Sequence, residues 1–529
     1  MELLQFSPGV SLCLRGEKVS CRQRGEPELS CSTRNRGLPR HVKMEMISRK
    51  PGKVLAALLA LVMVTGLLFR PAQAELTIDD ERKLGDQFLK AALRHLPLIQ
   101  DPDVVGYVNA VGQEVVAHLE THNFPYHFYV VDSSAINAFA GPAGYVFINR
   151  GILELMDNEG ELASILAHEV AHVQSRHLAE RMARSQKLTL ATLGGILAGV
   201  FLGPAAALGQ AAILGSAAGS TALQLGYSRQ DEEEADRKGL RYMEATGYSG
   251  QGMVDIMRKM GQQSWQQSGS IPTYLSTHPG VSERVNYLAS VVETRQKSPS
   301  KGIPPSGNPL AFKMMQAKLL GAYGSPTDAE RRFRQWSSRP EDRLPALYGT
   351  GLLLRRQGQL EAAAQSLKQA VALRPDLSPL LVELGLTYFE MGQVDKAASV
   401  LQSALSLDPN EATARFALGR ALLEQGKLDE ARDELIAAAR LNDRLPSLHY
   451  YLGLAYGKLN ELGEAHYHFG IHNQREGDWK GAMFHYQEAL RYPLPPDRQQ
   501  AIRDAMKEVQ EEIRETQRQE GQAPKNRRF

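Results

Sequence analysis

Apolar residues recur at three- and four-residue intervals in ERKLGDQFLKAALRHL and DVVGYVNAVGQEVVAHL, so the chain from Leu76 to about Asn123 reads as amphipathic helix. The period then changes. HFYVVD (127–132) and GYVFINR (144–150) are β-rich runs, and between them SSAINAFAGPA contains Gly141 and Pro142, with Gly144 just beyond, as turn signals. Helical spacing returns near Asp157 and carries the segment SILAHEVAHVQSRH, 164–177. Between Lys187 and Arg229 there are 41 residues without a charge, dominated by Ala, Gly and Leu. Gly194, Gly195, Gly199, Gly203 and Pro204 interrupt that stretch, and Gln210 and Gln224 lie inside it. It reads as a packed or partly mobile helical hairpin, with peripheral membrane contact through 188–228 as the alternative.

The run QKSPSKGIPPSGNP has the composition of a linker, and 296–310 is taken as the boundary between two domains. Beyond it the pattern repeats. Gly351, Gly385, Gly419 and Gly453 are spaced by 34 residues, as are Ala363, Ala397, Ala431 and Ala465. Gly358, Gly392 and Gly426 keep the interval, and so do Pro375 and Pro409. Thirty-four residues is the period of the tetratricopeptide helix-turn-helix unit, which predicts an all-α solenoid over 311–495. Gly324 and Ala329 carry the register backwards into a degenerate first repeat around 311–341, and 496–529 is expected to be a charged, solvated helix with a disordered end.

The amino-terminal quarter changes the picture in one respect. Arg49, Lys50 and Lys53, the apolar stretch Val54 to Phe69 and the small residues of Ala72-Gln73-Ala74 have the order of a signal peptide over 44–74, cleaved after Ala74. Residues 1–43 lack apolar periodicity and are expected to be a disordered leader from an upstream start, with Met44 or Met46 as the true one. All three cysteines (Cys13, Cys21, Cys31) lie in that leader, so any metal site in 75–295 must be built from histidine and carboxylate. Sixty-one basic against 59 acidic residues give no electrostatic argument for nucleic acid.

Within the opening helix of the candidate chemistry, His168-Glu169-Val170-Ala171-His172 places two imidazoles one turn apart on one face, a spacing that lets both meet one zinc ion. Glu169 beside them can take a proton from water. The bland alternative is a helix with surface histidines. His177 lies nine residues after His168, where a metzincin needs ten and an intervening glycine, so the third ligand is sought elsewhere. The acidic run Asp231 to Asp236 supplies candidates, and helical spacing sorts them. Glu233 and Glu234 face Arg237 and Lys238 at i+4; Asp231 faces Ala235 and gains nothing; Glu232 faces Asp236. Two carboxylates at i,i+4 repel unless a cation or donor lies between or beyond them, which a zinc site would supply, with Glu232 to the metal and Asp236 to a ligand histidine's second nitrogen.

HEVAH followed some sixty residues later by YSRQDEEEAD resembles the signature of the gluzincin family that includes HtpX and the CAAX-processing proteases. The signal segment and 34-residue repeats resemble its periplasmic, repeat-bearing branch. The resemblance implies one zinc per chain on His168, His172 and Glu232, with Glu169 as general base and Asp236 orienting His168. Ser276-Thr277-His278-Pro279 is similar to the family's Thr-His-Pro segment, which implies His278 as a regulatory fourth ligand; Arg284 matches a following arginine, in contact with substrate or purely structural. Asn137, Ala138, Phe139 and Ala140 resemble the strand beside the cleft, an edge able to take an extended substrate.

The fold class expected is therefore α+β and mainly helical, a zincin-type metalloprotease domain followed by an all-α repeat solenoid. The function implied is zinc-dependent endoproteolysis of unfolded or misassembled envelope proteins in the periplasm, as outer-membrane protein quality control, with the repeats recruiting substrate or assembly machinery. Two other classes compete: a chaperone or assembly scaffold acting through the repeats, and an inner-membrane protease anchored by Val54 to Phe69 or by 188–228.

Overall fold

The computed structural model describes residues 76–184, 227–266, 273–296 and 307–522. The expected leader and signal segment, the uncharged stretch up to residue 226 and most of the linker lie outside the described residues. Helix α1 (Ile78–His95) starts at Thr77, whose hydroxyl accepts from the Asp80 amide, and α2 (Pro102–Val116) starts at Asp101, which accepts from the amides of Asp103 and Val104. Between them a two-residue strand, β1 (Leu98–Ile99), interrupts what the apolar pattern presented as continuous helix.

The sheet is completed by β2 (His127–Val131), β3 (Ala138–Ala140) and β4 (Tyr145–Asn149) in the order β1-β2-β4-β3. The two β-rich runs pair in parallel, Phe128 opposite Val146 and Val130 opposite Ile148, and β3 pairs antiparallel with β4. Among the described residues that order leaves β3 on the edge. Helix α3 (Arg150–Leu155) leads to α4 (Glu159–Gln174), which is capped by Asn158 and buried from Glu161 to Val173. Its Leu162, Ile165, Leu166 and Val170 share one core with Val104, Val108 and Val115 of α2 and Val130 and Ile148 of the sheet. A helix buried on every side is held rigid by its surroundings, which suits it to carry a site.

After α5 (His177–Arg184), helix α6 (Arg229–Thr246) begins in a reciprocal capping box between Ser228 and Asp231. Helices α7 (Gln251–Gln266), α8 (Thr273–Thr277) and α9 (Val281–Gln296) follow. Helix α10 (Pro309–Tyr323) faces two ways. Its Phe312, Met315 and Leu319 belong to the core of α2 and α4, and the Gln316 side-chain amide donates to the carbonyls of Leu153 at 3.0 Å and Met156 at 2.7 Å. Its Ala317 and Leu320 belong instead to the core of the repeats, with Phe333, Trp336 and Tyr348. Lys318 is buried between the two, paired with Asp101 (3.2 Å) and Asp103 at the start of α2 and with Glu383 (3.0 Å) beyond.

The array runs through α11 (Pro326–Ser337), α12 (Arg343–Arg356), α13 (Leu360–Leu373), α14 (Ser378–Glu390), α15 (Val394–Leu407), α16 (Ala412–Glu424), α17 (Leu428–Leu441), α18 (Leu448–Lys458), α19 (Leu462–Arg475) and α20 (Trp479–Ala489). Its two glycine series have different causes. A Cβ at Gly351, Gly385 or Gly419 would lie 2.6–2.7 Å from the side chain of Leu367, Leu401 or Leu435, so the first series lets the paired helices touch. Gly358, Gly392 and Gly426 instead adopt φ of +75°, +73° and +76° with open space around them, so the second turns the chain between helices. Gly385→Val should therefore cost about 1–3 kcal/mol through overpacking. Urea unfolding of the variant checks this, and an unchanged midpoint would refute the packing account.

Helix α21 (Pro496–Gln522) does not stand free in solvent as its charge suggests: Ile502 and Val509 are buried against Ala482 and Tyr486 of α20. Arg94 on α1 reaches it through Glu512 at 2.9 Å. Among the described residues no helix is long and apolar enough to cross a membrane.

Candidate metal centre

Helix α4 presents His168 and His172 to Glu232 of α6, and the turn after α8 brings His278 to the same point. All four are buried. His168 Nε2 lies 3.0 Å from His172 Nε2 and 3.5 Å from Glu232 Oε2; His172 Nε2 is 3.6 Å from Glu232 Oε1. His278 Nδ1 is 2.9 Å from Glu232 Oε1 and 3.4 Å from His168 Nε2. Ligands at zinc bond lengths in a tetrahedron sit about 3.3–3.5 Å from one another, and these separations bracket that value. One donor atom from each of the four residues lies within 4.8 Å of all the others, so the set fits a single divalent cation. Beside it Glu169 is fully buried with no hydrogen-bond partner on either oxygen, and His278 Nε2 lies 3.6 Å from its Oε1.

Charge is concentrated here in a way the burial would forbid to isolated groups. Burial alone would raise Glu232, but His278, His168 and Arg284 hold it well below the usual carboxylate range. Burial pulls His168 down, yet Asp236 and Glu232 outweigh it and set its pKa at about 9. His172, buried beside that cation, is pushed well below the ordinary histidine value. Glu169 is raised, chiefly by burial.

Around the four donors lies a second ring of contacts. Asp236 Oδ1 is 3.0 Å from His168 Nδ1. Arg284 is buried and donates from Nε and Nη2 to the two oxygens of Asp236, at 2.8 and 2.6 Å, while its Nη1 lies 2.5 Å from Glu232 Oε2. It compensates the i,i+4 carboxylate pair from a helix that spacing along α6 cannot reveal. His177, dismissed by its offset, meets the far nitrogen of His172, Nδ1 to Nδ1 at 2.9 Å. Two tyrosines had no signal in the periodicity. Tyr227 stacks on His172 at 3.7 Å between ring centres, and Tyr274 stacks on His278 at 4.2 Å.

On α6 the i+4 pairs form as spacing suggests, Glu233 with Arg237 and Glu234 with Lys238, the latter at 2.7 Å. Asp231 is not idle: it closes the capping box and pairs with Arg181 at 2.6 Å. Ala138, Phe139 and Ala140 form the edge strand β3, packed against α4, with Asn137 buried beside them. The Tyr274 amide donates to the Ile136 carbonyl at 3.1 Å, which ties the approach to that strand to the segment bearing His278.

Comparison with known proteins bears on both halves of the chain. Residues 102–292 match peptidase family M48, and residues 351–392 and 382–449 match tetratricopeptide repeats. The chain is 31% identical over 308 residues to the beta-barrel assembly-enhancing protease of Yersinia pestis, covering 58% of this chain and 62% of the relative. It is 28% identical over 219 residues to the mitochondrial metalloendopeptidase OMA1 of Schizosaccharomyces pombe, covering 40% of this chain and 61% of that one. The aligned region thus spans somewhat under two thirds of each relative's length. Among solved structures, one titled MamA MSR-1 C2 aligns with 32% of this chain and 96% of its own at 23% identity, with a TM-score of 0.27.

Proposed function

We propose that this chain, an M48 peptidase domain followed by tetratricopeptide repeats, is a zinc endopeptidase acting on misfolded or misassembled envelope proteins in the periplasm. The observation that carries the reading is the convergence of four buried donors beside a buried, unpartnered carboxylate. His168, His172 and Glu232 would hold one zinc ion. Such an ion supplies Lewis acidity to a peptide carbonyl and lowers the pKa of water to near 7. Glu169 accepts the proton of the attacking water and returns it to the leaving amine nitrogen. Asp236 fixes the orientation of His168, and Arg284 keeps Asp236 and Glu232 charged in a buried setting. The strand with Asn137, Ala138, Phe139 and Ala140 would lie alongside an extended substrate segment.

Outer-membrane protein quality control is supported by the name of the Yersinia pestis relative, and the repeats supply a surface for substrates or assembly machinery. The expected signal segment would place the domain in the periplasm, and the 188–228 stretch, if not packed as a hairpin, would touch a membrane surface. His278, standing among the donors, favours a second reading in which proteolysis is held off and the repeats act as a chaperone or assembly scaffold.

Purified protein is expected to hold about one zinc per chain and to cleave casein until a chelator removes it. His278→Ala should keep the zinc and raise the rate several-fold, because a position then opens to water. Protein without zinc would sink the enzyme reading. Equal rescue of an envelope-assembly defect by the wild type and by Glu169→Gln would favour the scaffold.

A further inference from the structure

In the repeats an arginine is caged by aromatic rings. The guanidinium carbon of Arg420 on α16 lies 4.6 Å from the ring centre of Phe389, 4.9 Å from Tyr451 and 5.6 Å from Phe416. Those rings stand on α14, α18 and α16, the first helices of three successive repeats, so the cage is built across the array. Arg355, Arg415 and Arg432 nearby each pair with a carboxylate, at 2.6, 2.8 and 2.9 Å. Among the described residues nothing pairs with Arg420, and its Nε is sealed from solvent without a hydrogen-bond partner.

Aromatic contacts use the faces of a guanidinium and leave its in-plane N–H donors free. Those donors form a fork that fits one carboxylate with two hydrogen bonds. A half-buried cation with no counter-charge costs stability, so an acidic ligand would relieve what folding leaves uncompensated. The apolar strip continues past the cage: Tyr450, 42% exposed, lies edge-on to Tyr451 and 5.9 Å from Phe469. Rings therefore flank Arg420 on both sides along the array, Phe389 on one and Tyr450 and Phe469 on the other. That pattern suits a chain passing through rather than one that stops there.

We propose that the aromatic cage around Arg420 binds an extended polypeptide segment whose internal aspartate or glutamate pairs with the guanidinium and whose neighbouring aromatic or large apolar residues lie on the strip. This deepens the reading of the repeats as a recruiting surface and rests on it, but not on the chemistry at Glu169.

The test is fluorescence anisotropy with the full chain and a labelled peptide centred on Phe-Glu-Phe, blocked at both ends, against the same peptide with Gln for Glu. A third peptide carries Gln at the centre and a free terminal carboxylate. The glutamate peptide should bind at least ~10-fold more tightly than the glutamine peptide, and the preference should weaken with salt. Arg420→Gln should abolish the preference, and Arg420→Lys should retain part of it. Equal binding of the blocked pair to the wild type overturns the proposal without any variant, so a misfolded Arg420→Gln could not protect it. Tight binding of only the third peptide overturns it in favour of a chain terminus. Because binding is read directly, loss of peptide recognition and loss of casein cleavage are separate failures.

Discussion

Replacing Glu169 by glutamine is expected to lower turnover of a protein substrate by about 10²–10⁴-fold while leaving metal content and melting temperature near those of the wild type. The substitution keeps shape and removes only the capacity to take a proton. The surroundings explain why so much should be lost at so small a change. Both oxygens of Glu169 are buried and unpartnered, and burial raises its affinity for a proton despite the pull of His278 and His168. A carboxylate so placed makes no structural hydrogen bond that catalysis must break, and its raised proton affinity is the direction a general base needs. Metal analysis beside a casein assay checks the expectation. A glutamine variant that cleaves within tenfold of the wild type would remove Glu169 from the mechanism.

Arg284→Met is expected to destabilise the metal-free protein by about 3–5 kcal/mol, because it strips the counter-charge from two buried carboxylates. Asp236 would lose two hydrogen bonds and Glu232 an ion pair at 2.5 Å. Zinc brings positive charge to the same place, so the variant with its uncompensated carboxylates should gain more from the ion than the wild type, and the gap between them should narrow. Urea unfolding with chelator and with zinc measures both effects. A loss under ~1 kcal/mol without metal, or a gap that zinc leaves unchanged, would deny the arginine this role.

Arg284 also marks how far the sequence could be read. The i,i+4 pairing of Glu232 with Asp236 points to a metal, and it gives no hint of Arg284, which pairs with both from 48 residues beyond Asp236. Helical periodicity reports neighbours on one helix and cannot say which other helix lies across from it. The same limit hid Tyr227 and Tyr274, whose stacking on His172 and His278 is tertiary, and the contact of His177 with His172, which follows from the bend between α4 and α5. The repeats were legible because each glycine series answers a local demand, close packing in one and a positive φ in the other. The sheet was less so: parallel pairing of β2 with β4 is fixed by the core between α2 and α4, and nothing in an alternating run distinguishes it from a hairpin.

Helix α10, with one face among Val108, Leu162 and Phe128 and the other among Phe333 and Tyr348, makes the array something other than an interchangeable cassette. Grafting a foreign solenoid after residue 310 would strip Phe312, Met315 and Leu319 from the core of α2 and α4 and leave the Lys318 partners Asp101 and Asp103 facing a gap. A joint of that kind passes load. Displacing α10 would break its hydrogen bonds to the carbonyls of Leu153 and Met156, at the threshold of the helix that bears His168.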